Sequence, residues 1–248
     1  SWSGVFSSFA LSADGRRVAV GTGTTGGGLS VYLKQLDAGA FSRLSFGGQD
    51  RRPAWSPDGK TVAFIRDSLN GGGVYGIAAD GSGGERRLAK IDRPIQEVIW
   101  SNDGQWLVLR TDNGTAGAGD LVGVRTSGDS TPVPLVASKF TEMHPALSPD
   151  GRWLAYISDE SGANEIYVRP FPATNGGRWQ VSNGGGMSPV WSPDSKELYF
   201  LGGTGQLIAA ELRTTTAFEV VQLQTLFDVT GYNLDLFHQS FAVAPDGK

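Results

Sequence analysis

Six aspartates, Asp14, Asp58, Asp103, Asp150, Asp194 and Asp246, recur along the chain, separated by 44, 45, 47, 44 and 52 residues. Carboxylates can act as general acids or bases, or hold a hard cation. One active site needs one or two such acids, whereas six equivalent copies in one local sequence mark a structural repeat. The two histidines, His144 and His238, are the other groups able to bind zinc or move a proton near neutral pH. No third ligand accompanies them, so neither a metal site nor a catalytic residue is assigned. The absence of cysteine excludes disulfides, thiolate metal sites and cysteine nucleophiles. Residues 21–26, GTGTTG, match G-x-G-x-x-G at Gly21, Gly23 and Gly26. Such a loop cradles a pyrophosphate only when a helix follows it. Here LSVYL follows at Leu29–Leu33, short, β-branched and aromatic. A strand is expected there, with no dinucleotide and no other cofactor.

The chain of 248 residues carries 36 glycines and 12 prolines, too punctuated for long helices. Its aromatic content supplies core material and argues against disorder. A net charge of −4, with Arg16–Arg17, Arg51–Arg52 and Arg86–Arg87 scattered among acids and glycines, argues against a nucleic-acid partner. No apolar run reaches the length of a membrane span. The chain begins at Ser1 with no secretory leader, and a longer parent protein is expected.

The six segments around the aspartates align throughout: FALSADGRRVAV (9–20), PAWSPDGKTVAF (53–64), VIWSNDGQWLVL (98–109), PALSPDGRWLAY (145–156), PVWSPDSKELYF (189–200) and FAVAPDGK (241–248). Each reads as a short strand, a turn and a second strand. In the turn, Pro presets φ, Asp bonds nearby amides and Gly takes positive φ. Third strands are expected at Leu29–Leu33, Val74–Ala78, Leu121–Val124, Ile166–Arg169 and Leu207–Leu212. Short fourth stretches follow, such as Arg43–Phe46, Arg87–Ala89 and Gln180–Ser182. Four strands per unit of this length make the blade of a β-propeller. The expectation is an all-β single domain over 1–248, six-bladed with four-stranded antiparallel blades. Five repeats are complete and the last blade is incomplete, with residues 1–6 supplying its outer strand.

These units resemble the S-P-D-G-x-x-[IL]-A-[FY] repeats of TolB-like propellers. A narrower likeness, in residues 144–172 and 179–201, is to the extracytoplasmic C-terminal propeller of bacterial membrane-anchored serine/threonine kinase-like proteins. No kinase element and no G-x-S-x-G elbow occurs in the chain. The resemblance therefore implies a non-catalytic module, docked outside the cytoplasm on a protein partner or membrane-protein complex. The alternatives are a ligand- or peptide-sensing domain of a kinase-like receptor and, less supported, a hydrolase like those preceded by similar propellers.

Binding residues are sought where the repeats differ. Six residues before each aspartate stand Ser8, Arg52, Glu97, His144, Ser188 and Ser240, at the entry to each first strand. In a propeller these entries converge on one channel mouth. Arg51, Arg52, Glu97, Glu142, His144 and His238 are its candidate ligand-binding residues, for a small ligand or peptide tail. Asp159, Glu160, Asn164 and Glu165 form an acidic stretch without EF-hand spacing, expected as a solvent-exposed hairpin. Trp106 and Trp153 are expected in the core, Trp2 and Trp179 at exposed contacts. Thr214–Ser240, which stretches the last interval, is expected to contact a partner.

Overall fold

The computed structural model describes residues 5–23, 27–37, 39, 41–67, 72–112, 119–214, 217–232, 241 and 243. They form five four-stranded antiparallel sheets and no helix long and apolar enough to cross a membrane. The first sheet contains β1 (Val5–Leu11), β2 (Arg17–Gly23), β3 (Leu29–Gln35) and β4 (Ser42–Arg43). The second contains β5 (Asp50–Trp55), β6 (Thr61–Arg66), β7 (Gly73–Ala78) and β8 (Arg86–Lys90). The third contains β9 (Ile95–Trp100), β10 (Trp106–Asp112), β11 (Gly119–Arg125) and β12 (Val133–Val136). β13 (Glu142–Leu147), β14 (Trp153–Ser158), β15 (Glu165–Pro170) and β16 (Trp179–Gln180) form the fourth, and β17 (Gly186–Trp191), β18 (Glu197–Gly202), β19 (Gln206–Arg213) and β20 (Glu219–Asp228) the fifth.

Each sheet runs in sequence order, as the repeat requires. Five sheets, rather than six, are built from the described residues. The sixth repeat, with Asp246, lies outside them apart from residues 241 and 243. The outer-strand role expected of residues 1–6 is overturned for Val5 and Phe6. These pair with Gly23 and Thr22 as the start of β1, because the extended run into Leu11 is unbroken. Gly21 and Gly23 sit in β2, opposite Val31 and Leu29, so the glycine-rich stretch opens onto a hairpin strand as expected.

The chain divides into two compact units, residues 1–112 with 123–133, and 113–122 with 134–248. In the first, β1, β2 and β3 pack on β5, and β5 and β6 pack on β9. Ala19, Val31 and Leu44 meet Val62, Phe64, Ile77 and Ala79 in one buried cluster. In the second, β13, β14 and β15 pack on β17. The shared core there holds Ile157, Ile166, Val168, Leu198, Phe200 and Leu212.

One turn is repeated five times. Ser12, Ser56, Ser101, Ser148 and Ser192 each donate a hydroxyl to the aspartate two residues on, at 2.5–2.7 Å. The same hydroxyl oxygen accepts the backbone N–H five residues on, at 2.9–3.0 Å, where the second strand begins. The carboxylate also accepts the N–H two residues beyond itself. Gly15, Gly59, Gly104 and Gly151 supply the left-handed residue, and Ser195 takes that place in the fifth copy at φ 61°. Ser195 is held there by the Asp150 N–H, which donates to its hydroxyl at 3.1 Å. The Ser56 hydroxyl and then the Lys60 N–H hold Asp58 below the ordinary carboxylate range, and Asp194 is lowered the same way by Ser192 and Lys196. Because these pKa values are depressed on folding, their stabilisation is present above pH 4 or so. It is lost as acid titrates the folded carboxylates.

Neighbouring sheets are tied by a second repeated bond. The indole N–H of Trp55 donates to the Ala10 carbonyl, that of Trp100 to Ala54 and that of Trp191 to Ala146, at 2.9–3.3 Å. Each tryptophan stands three residues before its turn aspartate and reaches the residue four before the aspartate of the preceding sheet. Leu11 and Leu147 occupy this slot in the other described sheets and carry no donor. Trp191→Phe keeps most of the buried ring but leaves the Ala146 carbonyl without its donor. It is expected to lower unfolding free energy by about 1 kcal/mol in urea titrations.

Candidate functional site

The entries to the first strands share a backbone irregularity. In the second, fourth and fifth sheets two residues oppose one: Arg52 and Pro53 face Phe64, His144 and Pro145 face Tyr156, Ser188 and Pro189 face Phe200. Proline has no N–H for the ladder, so pairing must break there. It also bars the preceding residue from the right-handed helical region. Arg52, His144 and Ser188, the first residues of these bulges, take the left-handed region, with φ of 55°, 51° and 52°. Non-glycine residues held this way store strain on the order of 1–3 kcal/mol, and such positions cluster at functional sites. The first and third sheets lack the proline, and there Ser7 and Gln96 are the extra residues.

In the first unit the entry side chains hold one another. The Arg51 guanidinium is bidentate on Asp67, at 2.5 and 3.1 Å, and donates to the Ile95 carbonyl at 2.7 Å. Gln96 makes the equivalent bond to Asp112 at 2.9 Å. The Arg52 N–H donates to the Ser8 hydroxyl at 3.1 Å, and its side chain is half-buried. Glu97 pairs with Arg110 at 3.5 Å. Beneath them Asp50, fully buried, accepts two bonds from Arg66 and one from the Gly47 N–H. Arg66 also pairs with Glu85 at 2.7 Å and lies over the Tyr75 ring. Hydrogen bonding to Asp50 raises the Arg66 pKa further above its already high value. A Cβ on Gly47 would meet the guanidinium at 2.1 Å, so a larger residue there would have to displace Arg66 from its bonds to Asp50 and Glu85. Asp50 is therefore a structural partner of Arg66, with both oxygens occupied.

In the second unit the residues expected at a solvated rim are buried. Glu142 is 1 % exposed, His144 6 % and Ser188 2 %. Met143 and Met187, at the next slot, turn into the shared core. The Glu142 Oε1 accepts the Ser138 hydroxyl at 2.6 Å, while Oε2 has no hydrogen-bond partner among the described residues. Burial first, then the nearby charges of Asp120, Asp159 and Glu160, push the Glu142 pKa up to about 7 against the bond from Ser138. Arg178 neutralises part of this field by pairing with Glu160. His238, the remaining mouth candidate, lies outside the described residues, as do Trp2 and Ser240.

Three expectations need correction. Asp159, Glu160 and Asn164 are half-buried, and Glu165 is buried, so only the hairpin tip at 161–163 is exposed. Glu165 accepts the Ser182 hydroxyl and the N–H groups of Gly184 and Gly185, clamping that loop to β15. Trp179, expected at the surface, packs edge-on to Trp153 at 5.7 Å and against Phe218 at 5.3 Å. Trp153 is core as expected, whereas Trp106 is half-exposed and covered by the Arg125 guanidinium at 4.1 Å. No set of three histidines or acids is close enough to hold a metal among the described residues. The clamping acids Asp67 and Asp112 were missed, although each stands nine residues after its turn aspartate, as does Asp159, which accepts the Thr141 N–H at 2.9 Å. That recurrence was available as a signal.

No family model matches the chain. It is 26 % identical over 158 residues to the peptidase YuxL of Bacillus subtilis, covering 47 % of this chain and 24 % of that protein. It is 40 % identical over 47 residues to the Tol-Pal system protein TolB of Zymomonas mobilis, covering 19 % of this chain and 10 % of that one. The chain thus spans less than a quarter of the length of these relatives. TolB from Acinetobacter baumannii superposes with a TM-score of 0.66 at 20 % identity, over 87 % of this chain and 53 % of that one. The fold is that of a TolB-like β-propeller.

Glu142→Gln tests the buried acid. Its folded pKa is raised, so the native state takes up a proton as pH falls from about 7 toward the unfolded value. The acid therefore weakens folding increasingly as pH rises through that window. Thermal melts from pH 5 to 8.5 should show the glutamine variant gaining on the parent with rising pH. The gain is expected to be on the order of 1–3 kcal/mol at the alkaline end. Equal pH profiles for the two would contradict this placement of Glu142.

Proposed function

We propose that the chain is a non-catalytic protein-binding module with a TolB-like propeller fold, working outside the cytoplasm on a partner protein or membrane-protein complex. One observation carries this reading. The same strained backbone position presents arginine, histidine and serine in different sheets, so a constant frame supports non-repeating chemistry. In the first unit this gives a half-exposed polar surface of Arg51, Arg52 and Gln96 around the first-strand entries, and that surface is the proposed docking face. The TolB relative and the TolB-like fold support an extracytoplasmic setting. The sixth copy of the repeat, FAVAPDGK, supports a sixth blade in a single propeller domain over 1–248. The likeness of residues 144–172 and 179–201 to kinase-like receptor propellers supports the sensing alternative, with Glu142, His144 and His238 as its ligand candidates. The YuxL match supports a further reading as the propeller of a peptidase.

A photo-reactive residue at Arg52 should give a discrete crosslinked partner from envelope fractions. A probe at Gln35, at the exposed end of the first sheet's β3, should not. Arg52→Ala should reduce capture by about tenfold while leaving the melting temperature within a few degrees. Equal labelling from both positions would overturn the proposed docking face.

A further inference from the structure

Seven aspartate–glycine or asparagine–glycine pairs fall within the described residues, at 14–15, 58–59, 80–81, 103–104, 150–151, 175–176 and 183–184. Each is a place where a chain can react with itself. Glycine carries no Cβ, so its backbone nitrogen can close on the side-chain carbonyl of the residue before it. A glycine N–H already donated to an acceptor must first give up that bond. Gly15, Gly59, Gly104 and Gly151 donate to the carbonyls of Ser12, Ser56, Ser101 and Ser148, and Gly81 to that of Ala78, at 2.8–2.9 Å. The aspartates before these five glycines are also held below the ordinary carboxylate range, hence ionised, and a carboxylate resists attack.

The two asparagine pairs lack that second protection, since a neutral amide is the better target and asparagine is a thermolabile residue. They differ from each other in one respect. The Gly184 N–H donates to the buried Glu165 carboxylate at 2.8 Å. The Gly176 N–H has no hydrogen-bond partner among the described residues. Asn175, Gly176, Asn183 and Gly184 are all exposed, so the bond to Glu165, not access to water, separates the two pairs. We infer that Asn175 is a spontaneous modification site of the folded chain, deamidating through a succinimide to isoaspartate and aspartate while Asn183 is held intact.

The step needs only water and hydroxide. The Gly176 nitrogen loses its proton to hydroxide and attacks the Asn175 side-chain carbonyl carbon. A C–N bond closes the succinimide ring, the C–NH2 bond breaks, and ammonia leaves with a proton taken from water. Water then opens the ring. Attack at the side-chain carbonyl restores the ordinary main chain with aspartate, and attack at the main-chain carbonyl leaves the chain running through the side chain, as isoaspartate. Either product adds one negative charge, three residues from Arg178. The site lies in the loop between β15 and β16, between two anchors. The Thr174 hydroxyl donates to the Leu135 carbonyl at 2.5 Å, and the Thr174 carbonyl accepts Arg169 at 3.0 Å. On the other side Trp179 packs on Trp153. Isoaspartate lengthens the main chain between these anchors. This inference does not depend on the partner-binding reading, which uses the first-strand entries.

Incubation of the folded chain at mildly alkaline pH, followed by peptide mass spectrometry with fragmentation, tests it. Asn175 should gain about one dalton as the amide is replaced by a carboxylate. Asn183 should convert at least about tenfold more slowly, the factor that one hydrogen bond to a carboxylate commands. The same incubation in strong urea removes the Glu165 bond without any substitution, and the two rates should then converge. Asn175→Gln should abolish the gain at that position, because glutamine would have to close a larger ring. Equal rates at Asn175 and Asn183 in the folded chain would overturn the inference. So would an Asn175 that stays intact in the folded chain while converting in urea. Failure here would leave labelling at Arg52 unaffected.

Discussion

The hydroxyl of Ser148 donates to Asp150 at 2.5 Å and accepts the Trp153 N–H at 3.0 Å, and every described copy of the turn makes the same two bonds. This serine–aspartate pair decides where the first strand of each sheet stops and where the second begins. Ser148 is fully buried, so its hydroxyl has no water to turn to if the aspartate is lost. The aspartates are thereby committed. Each described copy accepts a hydroxyl and a backbone N–H on the same oxygen, so one side of every carboxylate is tied into the turn. Their number is what a repeat needs.

Fixing the turn fixes the strand before it, and two further features follow from that register. Three residues before the aspartate, in three of the five described sheets, an indole reaches the carbonyl of the preceding sheet. Six residues before it, proline-bearing copies break the ladder and hold Arg52, His144 or Ser188 at positive φ. Turn, indole and bulge form one rigid device. Side chains outside the device are free to differ between copies. In the first unit that freedom produces interlocked ion pairs around Arg51 and Asp50, and in the second a buried acid with a raised pKa.

Much of this was legible in the sequence because the repeat supplies internal comparison. Spacing and apolar pattern gave the turns, the strand order and the sheet size, and LSVYL after GTGTTG identified a hairpin rather than a cofactor loop. What the repeat could not give is depth. Glu142 and His144 read as rim residues because position along a strand says nothing of which side a bulge turns them to. Trp179 read as exposed because it lies outside the motif, yet it closes a cluster with Trp153 and Phe218, whose contact comes from a later sheet. Glu165 read as hairpin surface because its partners, Ser182, Gly184 and Gly185, are about twenty residues away. The unusual length of β20 was visible only as a longer interval between aspartates.

The account rests on the aspartates being structural, acting through the serine two residues before them. A double-mutant cycle on Ser148→Ala and Asp150→Asn, read by denaturant unfolding, measures that link directly. A coupling of at least about 1 kcal/mol is expected, since either single change breaks the same bond and the second removes little more. Additive effects of the two substitutions, or an Asp150→Asn chain as stable as the parent, would contradict it.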